Sequence, residues 1–119
     1  MSRVKRSVSA RKKRRVTLER TKGYRGQAKS SYKRAKEALL KADSYAYRDR
    51  RNRKRDFRKL WIVRINAAAR QEGMSYSQFM HGMKLAGIEV DRKMLADIAV
   101  RDPETFRRFA EQAREAAAA

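Results

Sequence analysis

Apolar positions are few and scattered from Met1 to Gly26, and the run Arg11-Lys12-Lys13-Arg14-Arg15 repels itself in a free chain. This stretch is predicted to be disordered alone. Between Gly26 and Gly73 there is neither Gly nor Pro, so one helix of about 46 residues, roughly 70 Å at 1.5 Å per residue, can run through it. Its first part carries a stripe at Tyr32, Ala35, Leu39, Ala42 and Ala46, the spacing of one helix face. From Tyr47 to Asp56 no aliphatic residue lies on any face, and nothing there can pack on protein. At Phe57, Leu60, Trp61, Val63, Ile65 and Ala68 an apolar face returns, which predicts that the helix joins a small core there.

The remaining pattern predicts short helices with marked ends. Gly73 stops the first. Ser75-Tyr76-Ser77-Gln78 has capping-box spacing, with Met74 placed to staple onto Phe79. Phe79, Met80, Met83 and Ala86 form the buried side of that helix, and Gly87 ends it. Asp91 caps a third helix with Met94, Leu95, Ile98 and Ala99 inward. Asp102-Pro103-Glu104 starts a fourth, which uses Phe106, Phe109 and Ala113. The one competing strand signal is the short link Ile88-Glu89-Val90. The predicted fold class is all-α: a long basic N-terminal helical extension over residues 1–58, then a small globular helical domain over 59–119.

Charge divides the chain near the same place. Residues 1–60 hold 24 Lys and Arg against 5 Asp and Glu, and residues 61–119 hold 9 against 8, so +19 of the net +20 lies in the first part. Such a field seeks a polyanion. A chain of 119 residues, 39% of them charged, cannot bury all of itself around one core.

Enzymatic chemistry finds little support. There is no Cys, which excludes disulfides, thiolate metal sites and cysteine nucleophiles and suits a reducing cytoplasm. His81 is the sole His and reads as an ordinary exposed or partly buried side chain. Glu19, Glu37, Asp43, Asp49 and Asp56 sit among Arg and Lys at helical spacings and read as solvated ion-pair partners, each worth a few tenths of a kcal/mol at roughly that scale. Lys22-Gly23-Tyr24-Arg25-Gly26 lacks the length of a nucleotide-cradling loop. No catalytic residue, metal site, cofactor or small-molecule substrate is expected. No apolar run reaches the roughly 20 residues of a membrane span, and Met1-Ser2-Arg3-Val4-Lys5-Arg6 lacks the apolar segment of a secretory signal. An Arg-rich start also fits an organellar transit peptide, but the basic character continues well past one.

The cations carry the positive argument. Arg48, Arg50, Arg51, Arg53, Arg55 and Arg58 project all around a helix, an arrangement suited to burial within nucleic acid, with Lys54 and Lys59 among them. Arg offers phosphate a planar fork and stacks on bases. Of the aromatics, Tyr24 beside two glycines reads as an RNA contact and Tyr32 as helix packing, while Tyr45 and Tyr47 are candidates for stacking. Trp61 reads as a core anchor. Arg64, Asn66 and Arg70 fall off the apolar positions and face outward. Lys84, Arg92 and Lys93 are the cations of the C-terminal part near turns, with a second RNA patch and plain solvation as the two alternatives. A DNA-compacting protein would share the charge excess; a membrane-surface helix would need a broad apolar face, which Tyr47 to Asp56 lacks.

The segment from Tyr45-Ala46-Tyr47 through Arg48-Asp49-Arg50-Arg51-Asn52-Arg53-Lys54-Arg55-Asp56-Phe57-Arg58-Lys59-Leu60-Trp61 to Arg70 resembles the signature of the bacterial large-subunit ribosomal protein twenty family. The likeness extends to Arg3-Val4-Lys5-Arg6, to Lys22-Gly23-Tyr24-Arg25-Gly26 and to Gly87-Ile88-Glu89-Val90-Asp91-Arg92-Lys93 through Ala99. The resemblance implies a non-catalytic protein of the cytoplasmic ribosome that binds 23S ribosomal RNA and acts early in large-subunit assembly. It also implies neighbouring large-subunit proteins as partners and, in some bacteria, repression of its own messenger RNA. Carried onto this chain, the extension is residues 1 to about 58, with the shared segment supplying its best-matched contacts; the candidate RNA-binding residues of the extension are Arg3, Lys5, Arg6, Arg11, Lys12, Lys13, Arg14, Arg15, Lys22, Tyr24, Arg25 and the Arg48–Arg58 segment.

The charge division predicts that isolated residues 59–119 give a helical circular-dichroism spectrum and that residues 1–40 do not. Strong amide protection of the N-terminal arm without RNA would contradict it.

Overall fold

Gly73 and Gly87 cut the C-terminal part of the chain into helices. In the computed structural model, which describes residues 3–119, their φ angles are 74° and 69°, a left-handed conformation that costs other L-residues roughly 1–2 kcal/mol. Each closes the preceding helix with a pair of bonds. Met74 N–H donates to the Ala69 carbonyl at 2.9 Å and Gly73 N–H to Arg70 at 3.0 Å; Ile88 N–H donates to Met83 at 3.1 Å and Gly87 N–H to Lys84 at 3.2 Å. This is the Schellman pattern, and the apolar residue after each glycine turns back onto the core.

The elements are α1 (Ser7–Arg20), a 3-10 turn (Gly26–Lys29), α2 (Tyr32–Gln71), α3 (Tyr76–Leu85), α4 (Arg92–Arg101) and α5 (Pro103–Ala118). No strand occurs among the described residues, including the Ile88–Val90 link, so the all-α class holds. The signal-peptide reading at Met1 and Ser2 lies outside the described residues. The chain divides into two compact units, Met1–Arg51 and Asn52–Ala119, with the division inside α2.

In the first unit the buried residues are Thr21, Ala35 and Leu39. The Thr21 hydroxyl donates to the Leu18 and Thr17 carbonyls at 3.2 and 3.4 Å, which satisfies its buried oxygen. Arg20 meets Asp43 at 2.6 Å, and the Arg14 guanidinium lies 5.8 Å from the Tyr32 ring centre, so α1 touches α2 through charge more than through apolar surface. Here the structure departs from the expected disorder of residues 1–26. Ser7 to Arg20 contains no Gly or Pro and is rich in Arg and Lys, both good helix formers, so α1 forms without burying a single residue. The helix expected straight after Gly26 begins instead at Tyr32, because the chain first makes the 3-10 turn, with Ser30 and Ser31 N–H both donating to the Gln27 carbonyl.

The second unit has the core: Ile65, Ala69, Met74, Phe79, Met83, Leu95, Ala96, Phe106, Ala110 and Ala113. Its caps are those the sequence predicts. Ser75 and Gln78 form the reciprocal box, at 2.9 and 3.3 Å. Asp91 accepts from Met94 N–H at 2.7 Å, and Asp102 accepts from Thr105 N–H at 3.1 Å with Pro103 at the first helical position. Phe79 on α3 stacks on Phe106 of α5, with ring centres 4.9 Å apart. Gly82, buried in the middle of α3, lets the α5 backbone come closer: a Cβ there would strike the Ala113 carbonyl and sit 2.8 Å from the Ala113 Cβ.

Several inward assignments change. Of the expected apolar face on α2, Ile65 is buried and Trp61 and Ala68 are partly so, whereas Phe57, Leu60 and Val63 are exposed. Met94 is exposed on α4 and Ala96 buried in its place; Ala86, at the end of α3, and Ala46 are exposed too. A sequence stripe fixes spacing along a helix but not its rotation against neighbours, and one residue of helix turns the face by about 100°.

Gly82→Ala improves helix propensity by about 1 kcal/mol yet forces α3 and α5 apart, and a net loss of about 1–3 kcal/mol is expected from urea unfolding of the full chain. Acid sensitivity has a separate source. The Asp102 carboxylate is held below the usual carboxylate range, first by the Thr105 hydroxyl at 2.5 Å and then by the Thr105 N–H. Its contribution is therefore present above the unfolded value of about 3.9 and is lost as pH falls through the lower folded value. Thermal unfolding between pH 5 and pH 2, approximately that carboxylate window, should show a steeper acid limb for the wild type than for Asp102→Asn.

Candidate nucleic-acid interface

Every residue from Asp43 to Leu60, five turns of α2, is exposed. A helix with no face against protein survives only if its side chains are well solvated or another polyelectrolyte surrounds it. Arg48, Arg50, Arg51, Arg53, Arg55 and Arg58, with Lys54 and Lys59, are all within this stretch. At about 100° per residue they point to every side. Of these arginines, Arg48 alone pairs with a carboxylate among the described residues, Asp49 at 3.0 Å. Exposed pairs of that kind contribute roughly 0–1 kcal/mol, so little intramolecular charge competes for the others.

The tyrosines of this region hold the cations. The Arg48 and Arg51 guanidinium groups lie 4.5 Å and 4.2 Å from the centres of the Tyr45 and Tyr47 rings, and the Lys41 ammonium lies 5.6 Å from Tyr45. Cation–π contacts at exposed sites are worth about 0.5–1 kcal/mol. Each ring is thereby engaged by cations of its own chain, Tyr45 by two of them and Tyr47 by one. The sequence offered both rings as stacking candidates; an i,i+3 or i,i+4 arginine was the available signal for this other use.

The remaining predicted residues divide by surroundings. Arg3, Lys5 and Arg6 precede α1 and are exposed, as are Arg11, Lys12, Lys13, Arg14 and Arg15 on it. Lys22 and Arg25 are exposed and Tyr24 is half-buried, its N–H donating to the Thr21 carbonyl at 3.1 Å. Asp43, which touches Arg20, raises the pKa of that guanidinium by hydrogen bonding and then by charge, so Arg20 is occupied within the protein. Arg64 and Arg70 are exposed, and the half-buried Asn66 accepts from Arg70 Nε at 3.4 Å.

The three C-terminal cations do not share one patch. Arg92 is half-buried, its Nε donating to the Tyr76 hydroxyl at 2.9 Å, which ties the start of α4 to the start of α3. Lys84 lines a hollow with Met80, Gly87 and Ile88. Lys93 lines another, with Arg53, Lys54, Phe57, Arg58 and Trp61 of α2. Trp61 packs against the core, as expected of an anchor, and also walls this hollow. Sequence reasoning missed Phe57 as a surface aromatic, and it missed Arg114, whose guanidinium donates to the Glu72 carbonyl at the end of α2, 42 residues away.

No constellation for catalysis is assembled among the described residues: His81 is exposed, and no group of His, Asp and Glu is placed to hold a metal. No described helix is long and apolar enough to cross a membrane.

A family model described as ribosomal protein L20 matches residues 3–109. The chain belongs to the ribosomal protein L20 family. It is similar to the large ribosomal subunit protein bL20 of Roseiflexus sp. (strain RS-1), with 65% identity over 116 residues covering 98% of this chain and 99% of the relative. Identity to bL20 of Rhodospirillum centenum is 59% over 119 residues, all of both chains, and to bL20 of Aromatoleum aromaticum 60% over 114 residues, 96% of each. Membership in the L20 family makes the chain a structural constituent of the bacterial, cytoplasmic ribosome and not an enzyme. It agrees with the resemblance carried by Tyr45 to Arg70.

Proposed function

We propose that this L20-family chain binds 23S ribosomal RNA directly and supports early assembly of the large subunit. The observation that carries the reading is the fully exposed stretch of α2 from Asp43 to Leu60, cationic on every side. The bases of the contact are Arg48, Arg50, Arg51, Arg53, Lys54, Arg55, Arg58 and Lys59, continued by Arg64, Asn66 and Arg70. Arg3, Lys5, Arg6, the run Arg11 to Arg15, Lys22, Tyr24 and Arg25 extend it on the N-terminal side, and Lys84, Arg92 and Lys93 on the C-terminal unit. Each phosphate neutralised by one of these groups releases condensed counterion, so much of the binding free energy is entropic and falls with salt. The second unit, near-neutral from Trp61 onward and with its own core, adds shape recognition of folded RNA, and the basic residues before Trp61 add charge. Phosphate brought among the cations of α1 and of the exposed part of α2 relieves their mutual repulsion, so RNA stabilises these basic helices as it folds around them. The same contacts serve early assembly, because a protein that screens phosphate repulsion lets RNA helices approach. Neighbouring large-subunit proteins are the further partners in this reading. A messenger RNA that mimics the ribosomal site would compete for the same surface, and a competition titration against the ribosomal fragment tests that activity separately.

Replacing Arg50, Arg51 and Arg53 together by Gln keeps helix propensity and removes three charges. Binding to a large-subunit RNA fragment is expected to weaken, and the slope of log affinity against log salt to fall by about 2 to 3. Circular dichroism checks that α2 persists. Unchanged affinity and slope would count against the assignment, and equal affinity for generic duplex DNA at matched salt would favour the DNA-compacting alternative.

A further inference from the structure

The hollow lined by Arg53, Lys54, Phe57, Arg58, Trp61 and Lys93 is chemically unlike the rest of the cationic surface. Other hollows carry cations too, but the one beside Tyr32 has two, Lys12 and Lys13, and a single aromatic ring. Here four cations rim two aromatic side chains, and no carboxylate lines the space. The hollow that shares Trp61 and Lys93 with it is self-neutralised by comparison: Asp91 and Asp97 line it with Arg64, Lys93 and Arg101, and Asp97 pairs with Arg101 at 3.0 Å. Phe57 is 50% exposed, an apolar surface that burial against protein within this chain leaves unsatisfied. It sits one turn before Trp61 on α2, their ring centres 6.4 Å apart and their planes inclined by 34°. Rings so inclined do not form the parallel slot that would clamp a base, so they offer it ring faces to stack on from outside. The platform is firm at one end, because Trp61 packs on the core, and open at the other.

We propose that this groove takes an unpaired RNA base, stacked on Phe57 and the outer part of Trp61, with its flanking phosphates on Arg53, Arg58 and Lys93. The proposal rests on the RNA-binding reading above and sharpens it, from charge neutralisation along a helix to a nucleotide site at one place. Paired bases cannot use the platform, since their faces are covered by the neighbours in the stack, whereas a looped-out or junction nucleotide presents a free face to an aromatic ring. Charge selects the occupant: an apolar protein segment would bury four cations without a partner, and a nucleotide brings a phosphate on each side. Lys93 is placed from α4 just after its Asp91 cap, so the groove requires the second unit to be folded. Arg53 and Lys54 come from the exposed part of α2.

Trp61 is the single tryptophan of the chain, so fluorescence follows one side chain, which walls this groove and the adjoining hollow, and Phe57→Ala separates the two. The full-length protein is titrated with a single-stranded adenosine dodecamer and with a blunt RNA duplex of twelve base pairs, at the highest salt at which both still saturate by anisotropy of end-labelled RNA. The single strand is expected to quench Trp61 on binding and the duplex to leave it near the free value. Phe57→Ala, at an exposed position, should weaken single-strand binding roughly tenfold, the scale of one aromatic–base stack, and leave duplex binding unchanged; Phe57→Tyr should restore it. Equal quenching by the duplex, or wild-type single-strand affinity in Phe57→Ala, overturns the groove proposal and leaves the RNA-binding reading in place. Failure of both RNAs to bind overturns both.

Discussion

A cation removed from water without a partner costs several kcal/mol, and this cost decides which parts of the chain can have a core. With 24 Lys and Arg against 5 Asp and Glu in residues 1–60, there are too few carboxylates to accompany burial. The first unit accordingly buries Thr21, Ala35 and Leu39 and little else, and α1 buries nothing. Backbone hydrogen bonding remains available, because a helix satisfies its own N–H and C=O groups without help from a neighbour. Helix without core is the outcome, and it leaves the side chains turned toward solvent and whatever anion occupies it.

From Trp61 onward the balance is the opposite. Nine cations against eight acids in residues 61–119 allow apolar faces to meet, and three short helices close around the last turns of α2. Their ends are set by local chemistry at Ser75, Asp91 and Asp102 and by left-handed Gly73 and Gly87. Their packing depends on Gly82, where the absence of a side chain admits the Ala113 backbone, and on the Phe79–Phe106 stack. Arg92 to Tyr76 and Arg114 to Glu72 then fasten helix ends that lie far apart in sequence. None of these bonds involves the exposed arginines of α2, so the charged surface and the core are separable in energy although one helix belongs to both.

The nucleotide groove follows from that shared helix. Where α2 passes from solvated arginines to the core, its aromatic residues change role over a single turn: Phe57 lies outside and Trp61 half inside. A rigid ring beside free cations is the combination that lets an electrostatic surface also discriminate between paired and unpaired RNA.

Much was legible in the sequence. Caps, stops and helix order were readable because each depends on residues within four or five positions of one another. The bare cationic stretch was readable because no rotation of the helix gives it an apolar face, so Asp43 to Leu60 is exposed whatever surrounds it. The family was legible for the same reason, since its signature lies in that contiguous run. Tertiary structure alone decided which way the partly apolar helices turn, putting Val63 and Met94 outside and Ala96 inside. It alone gave Gly82 a purpose, withdrew Arg92 and Asn66 into hydrogen bonds, separated Lys84 from Lys93, and set Lys93 of α4 across from Phe57 of α2. Spacing along one chain determines a local element; which faces meet depends on contacts between residues distant in sequence, and one sequence read alone carries no record of those distances.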